Sequence, residues 1–144
     1  MTTPPVTVSH QATAAEAAVR MTEEAVGCVM ATEGDTLRGV LTDRDIVVRG
    51  VAGAAGPDEP VTRLMSMPVV TVGASDDLDV AYQLYRREDI RRLPVLDGGR
   101  LAGVLAIDDL FADALQRLAD LLGPVSWSAR REQADSRPRR RSAP

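Results

Sequence analysis

Thr42 and Asp45 stand three residues apart at the end of the apolar run Gly39-Val40-Leu41, where a strand is expected to give way to a helix. A helix start carries unpaired backbone N–H groups and a partial positive charge, which suits a phosphate. A threonine hydroxyl there can donate to a phosphate oxygen. A carboxylate one turn inward can accept hydrogen bonds from both hydroxyls of a ribose. The same spacing has a ligand-free explanation. Threonine followed three residues later by an acid is close to a capping box, in which the two side chains satisfy the orphaned N–H groups themselves. Spacing alone supports both readings equally.

Little else in the chain offers chemistry. His10 is the single histidine, in an expected loop, where a structural or solvated role fits better than catalysis. There is no Cys/His cluster at metal-ligand spacing, no Ser-His-Asp set and no Gly-x4-Gly-Lys loop, so neither an enzyme nor a metal site is expected. Arg91 and Arg92 precede Leu93-Pro94-Val95, and their simplest role is a solvated strand end.

These residues must be positioned by a fold that is built twice. Gly39-Val40-Leu41-Thr42-Asp43-Arg44-Asp45 returns sixty-four residues later as Gly103-Val104-Leu105-Ala106-Ile107-Asp108-Asp109. The same offset lays Val6-Thr7-Val8 on Val70-Thr71-Val72, Ala17 on Ala81, Glu24 on Glu88 and Gly34 on Gly98 without a gap. A gapless register of this length is an internal duplication. Each copy reads strand, helix, strand, strand, helix. The helices are expected at 14–24 and 78–88, with Leu78, Ala81, Tyr82 and Tyr85 at helical spacing. Turns are expected at Glu33-Gly34-Asp35 and Asp97-Gly98-Gly99. The copies differ at one telling place: Ala106 stands where Thr42 stands, so the second helix start keeps Asp109 but lacks the hydroxyl.

The "Val-Thr-Val" start, the "Ile-Arg-Arg-Leu-Pro-Val" strand and "Gly-Val-Leu-Thr-Asp-Arg-Asp" together resemble the cystathionine-β-synthase (CBS) domain. Two in tandem, over roughly residues 6–122, resemble a CBS pair, or Bateman module. The resemblance implies an α+β fold of two βαββα units packed sheet to sheet about a pseudo-twofold axis. It implies two clefts that in many members bind adenosine nucleotides, AMP, ADP or ATP, as regulatory ligands, with no cofactor. Carried onto this sequence, the ligand-binding residues are Thr42, Asp45, Val6, Val8, Met30, Ala31, Arg91 and Arg92. A weaker second site has Asp109, Val70, Val72 and Pro94. In the family, basic residues like Arg91 and Arg92 point into the central cleft, where the planar guanidinium binds phosphate oxygens bidentately. The family also uses helices like the Ala-rich 14–18 stretch as a dimer face, though packing within one chain explains those small residues as well.

Composition sets the remaining bounds. With 44% hydrophobic residues, 144 residues suffice for one compact core, whereas two units of about sixty residues are each marginal alone. One cysteine, Cys28, in an apolar run points to a reducing compartment and a buried thiol. No run approaches the roughly 18 apolar residues of a membrane span, and the first residues lack a signal-peptide pattern. A cytoplasmic protein is expected. The divisions read as 1–59, a first repeat with its linker (Gly50 to Pro60 being Gly-, Ala- and Pro-rich), 60–122, a second repeat, and 123–144, a flexible tail. Val61 to Met67 is expected to be a short helix with Leu64 and Met65 as core anchors. The last repeat helix is expected to run from Ile107 to Leu122 and stop at Gly123-Pro124.

All basic residues are arginine, and six of them lie in 123–144 against Glu132 and Asp135, a net +4. Eleven Arg against nineteen acids in the rest make the body acidic. Nucleic-acid binding through the tail is therefore a weaker alternative. The expected function is a regulatory, homodimeric nucleotide sensor acting on an unidentified protein partner, without a membrane. The main alternative is a ligand-independent dimerisation or scaffold module in which Thr42 and Asp45 are only caps.

Overall fold

A computed structural model describes Met1 and residues 3–135; for residues 124–135 it describes the backbone alone. The chain forms two compact units, Met1–Ile107 and Asp108–Pro144. The first holds two three-stranded sheets, β1-β2-β3 and β4-β5-β6. Their strands are β1 (Thr7–Ser9), β2 (Cys28–Glu33), β3 (Thr36–Thr42), β4 (Val72–Gly73), β5 (Arg92–Asp97) and β6 (Arg100–Ala106). Between them lie α1 (Ala14–Glu23), α2 (Asp43–Asp45) continuing into a π-helical stretch (Ile46–Val51), α3 (Val61–Leu64) and α4 (Leu78–Glu88). The described part of the second unit is the helix α5, Ile107–Asp135.

The sixty-four-residue offset holds down to single hydrogen-bonded pairs. In each sheet the first strand runs parallel to the second and the second antiparallel to the third. Cys28 faces Thr42 as Arg92 faces Ala106, and the register slips at Ala31/Thr32 as it does at Val95/Leu96. The central strands β2 and β5 share one burial pattern, three buried residues between half-buried ones.

Both repeat helices are capped at equivalent positions. Thr13 and Glu16 form a capping box on α1, and the Asp77 side chain caps α4. The 50–60 linker also closes the start of α1: Ala14 and Ala15 donate their N–H groups to the carbonyls of Glu59 and Pro57. Two residues expected in that linker, Gly50 and Val51, instead belong to the π-helical stretch. Gly50 is buried there, where a Cβ would meet Leu64, so its turn is helical packing and not a loop. Ala14, Ala17 and Met21 turn one face of α1 into the core with Val29, Ala31, Leu41, Val61, Leu64 and Met65. Ala15 and Val19 stay exposed, so the small residues of α1 divide between internal packing and an open face.

The two repeats exchange their leading segments. Met65 precedes the second repeat, yet its side chain lies over Gly39 in β3, where an added Cβ would fall 2.3 Å from the Met65 sulfur. Ser66 and Val40 exchange backbone hydrogen bonds beside it. Reciprocally, Met1 and Thr3 precede the first repeat and lie over Gly103 in β6. Each glycine lets a segment from the other repeat approach the strand closely. Such reciprocal contacts are the mark of a pseudo-twofold axis between two βαββα units.

Helix α1 ends in a Schellman motif: Val26 N–H bonds to Met21 C=O and Ala25 N–H to Thr22 C=O. The C′ residue is Ala25, at φ 53°, where glycine is the usual occupant. Left-handed backbone costs an L-residue about 1–2 kcal/mol. Ala25→Gly is therefore expected to stabilise the fold by about 1 kcal/mol, seen as a rise of a few degrees in Tm. An unchanged or lowered Tm would show that the loss of chain entropy at a new glycine outweighs the relieved backbone.

Helix α5 departs from expectation. It passes through Gly123-Pro124, where a stop was expected, and continues to Asp135. Proline's φ is already helical, and its cost of about 3 kcal/mol is the loss of one hydrogen bond with a local clash. The Leu- and Ala-rich turns on its N-terminal side and the residues after it carry the helix on both sides. Of the tail expected at 123–144, residues 136–144 and the Trp127 side chain lie outside what is described.

Candidate functional site

The strand β3 delivers Thr42 to the start of α2, and both readings of Thr42 and Asp45 meet in one geometry. The Thr42 hydroxyl accepts from Asp45 N–H at 3.1 Å. Asp45 Oδ2 accepts from Thr42 N–H at 2.9 Å and from the Thr42 hydroxyl at 2.8 Å. The capping box is complete. The other carboxylate oxygen, Oδ1, lies 3.8 Å from the Arg49 guanidinium, an i,i+4 partner one turn further on. Arg49 is itself anchored on the Leu64 carbonyl at 2.8 Å, an orphan acceptor at the end of α3. The Asp45 side chain is only 16% exposed. It is held, oriented and close to the surface, with its hydroxyl partner able to redirect one hydrogen bond outward.

The second repeat contributes Arg92 to the same end of the first sheet. Arg92 and Cys28 are equivalent positions in the two repeats, and residues related by a twofold meet where they approach the axis. The guanidinium lies beside the Cys28 thiol, and Cys28 is the strand partner of Thr42. Burial pushes the Cys28 thiol above its ordinary pKa; Arg92 draws it down and Asp43 raises it. Cys28, the first residue of β2, is half-buried where a buried thiol was expected. The raised pKa keeps it a thiol at neutral pH and argues against a reactive cysteine. Asp43 donates its N–H to the Gly27 carbonyl, and a Cβ at Gly27 would come within 3.3 Å of the Asp43 carboxylate. Gly27 leaves room for the Asp43 carboxylate, which a methyl group there would displace by a few tenths of an ångström. Arg91 is exposed, and its carbonyl accepts from Ile107 N–H.

The other expected site residues are spread along the sheets. Met30 donates its N–H to the Val6 carbonyl, and Val8 pairs with Ala31. Met30 and Ala31 are fully buried, and Val6 and Val8 pack against the first core. Val72 is buried in β4 opposite Val95, Pro94 is buried in β5, and Val70 lies half-buried ahead of β4. Asp109 lies in the first turn of α5, in the second unit.

Two polar grooves lie at the other end of β2. One, of about 470 Å³, is lined by Val8, Ser9, His10, Thr32 and Glu33; the other, of about 310 Å³, by Pro5, Thr32, Asp35 and Arg100. At about 3.3 Å per residue they are well over 10 Å along the strand from Cys28. An Asp35–Arg100 ion pair joins the two repeats there. Hydrogen bonding and charge from Arg38, with a smaller contribution from His10, hold the exposed Glu33 carboxyl below its usual range. His10 Nδ1 is buried without a hydrogen-bond partner. Among the described residues no three His, Cys, Asp or Glu side chains cluster as a metal site, and no helix is long and apolar enough to cross a membrane.

Arg49 and Asp43 were missed from the sequence. Arg49 was legible, since Asp45 and Arg49 stand at i,i+4. Asp43 was not, because its role depends on Gly27 across the sheet.

The family model for the CBS domain matches residues 1–50 and again 61–115. The chain belongs to the CBS domain family. Among curated CBS relatives, the CBS domain-containing protein YhcV of Bacillus subtilis is 40% identical over 110 residues, covering 76% of this chain and 79% of YhcV. Among solved CBS structures, the protein PAE2072 from Pyrobaculum aerophilum, complexed with AMP, is 32% identical with a TM-score of 0.70, covering 76% of this chain and 86% of that one. A hexameric CBS-CP12 protein from bloom-forming cyanobacteria is 27% identical with a TM-score of 0.70, covering 94% of this chain and 84% of that one.

Proposed function

We propose that this CBS pair is a cytoplasmic regulatory protein that binds one adenosine nucleotide per chain and passes the signal, as a homodimer, to a protein partner. The observation that carries this reading is the Thr42–Asp45 helix start with Arg92 of the other repeat beside its strand. Asp45 offers a fixed carboxylate to the ribose hydroxyls. The Thr42 hydroxyl, by turning its proton from Asp45 toward the ligand, donates to phosphate. Arg92 counters the phosphate charge. Ala106 withholds the hydroxyl from the equivalent position, which makes the two clefts unequal. The AMP complex of a CBS relative at 32% identity supports the choice of ligand class, and the hexameric neighbour supports self-association as a property that this fold can host. No catalytic step is assigned. The chain acts by changing shape or surface.

A thermal-shift panel of AMP, ADP, ATP and S-adenosylmethionine tests the ligand class. A ligand at a hundred times its Kd adds about 2.7 kcal/mol, which raises the Tm of a domain this size by several degrees. A flat panel at millimolar ligand would return the site to a plain helix cap and favour the scaffold alternative.

A further inference from the structure

Arg49 reaches in two directions. One guanidinium nitrogen donates to the Leu64 carbonyl at 2.8 Å, and the other stands 3.8 Å from Asp45 Oδ1. At that distance the second contact is an ion pair and not a hydrogen bond. Thr42 holds the other oxygen, Oδ2. The carboxylate is thus oriented through both oxygens, while Oδ1 keeps acceptor capacity. Leu64 closes α3, which leads into the second repeat. Immediately after it, Met65 lies over Gly39, and Ser66 exchanges backbone hydrogen bonds with Val40, two residues before Thr42. Gly50, next to Arg49, is buried where a Cβ would meet Leu64. These contacts close a ring through Asp45, Arg49, Leu64, Ser66 and Val40 and, along β3, back to Thr42.

We infer that Arg49 is the positioning residue of the Asp45 carboxylate and couples it to the lead of the second repeat. This rests on the nucleotide reading above and adds the residue through which occupancy of that site is felt elsewhere. A carboxylate already held in place loses less freedom when a ribose binds to it. The anchor on Leu64 makes that holding depend on how α3 is seated. The coupling is reciprocal: a bound ribose fixes Asp45 in the orientation that Arg49 meets, which steadies Leu64, Met65 and Ser66. Only the first repeat has this device. At the sixty-four-residue offset Asp113 stands in place of Arg49, four residues after Asp109, and is paired with Arg117 at 2.7 Å. An acid at that spacing repels a carboxylate where Arg49 attracts one.

The test begins without ligand, by amide hydrogen exchange on the full chain. The reporters are the N–H groups of Met65 and Ser66, bonded to the Val61 and Val40 carbonyls. Asp45→Asn is expected to speed their exchange by about threefold or more, the scale of a part-exposed ion pair. The amides of β5 should stay unchanged, and Asp45→Asn should add nothing in an Arg49→Ala background. In equilibrium dialysis, Arg49→Ala is expected to bind AMP about tenfold more weakly than the parent, an ordinary size for a coupling between sites. Arg49→Lys keeps the charge but offers one nitrogen to two partners, and should be as weak as Arg49→Ala. Full affinity in Arg49→Lys would overturn the inference, since charge alone would suffice. So would an Arg49→Ala chain with a lowered Tm and unchanged AMP affinity, which is a purely structural role. Exchange at Met65 and Ser66 that ignores Asp45→Asn would overturn the coupling while leaving the nucleotide reading intact. A parent that does not bind AMP, yet shows Asp45-dependent exchange at Met65, would remove the nucleotide reading and support the coupling.

Discussion

Asp45→Ala is expected to abolish binding of an adenosine nucleotide, while Asp109→Ala changes it by less than about threefold. The loss is two charge-assisted hydrogen bonds to ribose at about 1.5 to 3 kcal/mol each. At 1.4 kcal/mol per tenfold, that weakens binding by roughly two to four orders of magnitude. Equilibrium dialysis with AMP measures both. Asp45 is also half of the capping box on α2, so Asp45→Asn is the companion variant. Its amide oxygen can still accept from Thr42 N–H, which protects the helix start, yet it lacks the negative charge. Asn and Ala variants equally weak in AMP but unequal in Tm would separate the two roles. Equal losses at Asp45 and Asp109 would overturn the inequality of the clefts.

The largest effect on stability is expected at Met65. It belongs to the lead of the second repeat but is buried with Val29, Leu41 and Val61 of the first core. Truncation of a buried methionine to alanine costs about 2–5 kcal/mol, and here should lower Tm by roughly 10 °C or more. Gly39→Ala places a methyl group in the space the Met65 side chain occupies, an overpacking worth about 1–3 kcal/mol. The two substitutions should therefore be non-additive: Met65→Ala vacates the space that Gly39→Ala needs. Additive losses in thermal denaturation would mean that Met65 does not hold the two repeats together.

The duplication made most of the fold legible. Once Gly39-Val40-Leu41 was set on Gly103-Val104-Leu105, both sheets, the helix α4 at Leu78–Glu88 and the inequality of Thr42 and Ala106 followed from the sequence. The candidate site was legible as a pair of residues but not as an environment. The Asp43–Gly27 approach and the seat of Arg92 beside Cys28 arise from contacts across the sheet and across the pseudo-twofold, which no local pattern announces. Local propensity predicted α5 only as far as Leu122. Gly123-Pro124 is a strong stop signal, and it was overridden by helix-forming residues on both sides.

Titration calorimetry of AMP into the parent chain tests the central claim most directly. One AMP per chain, with the heat lost in Asp45→Asn and kept in Asp109→Ala, is the expected result. A stoichiometry of two per chain, or no heat at millimolar AMP, would contradict it.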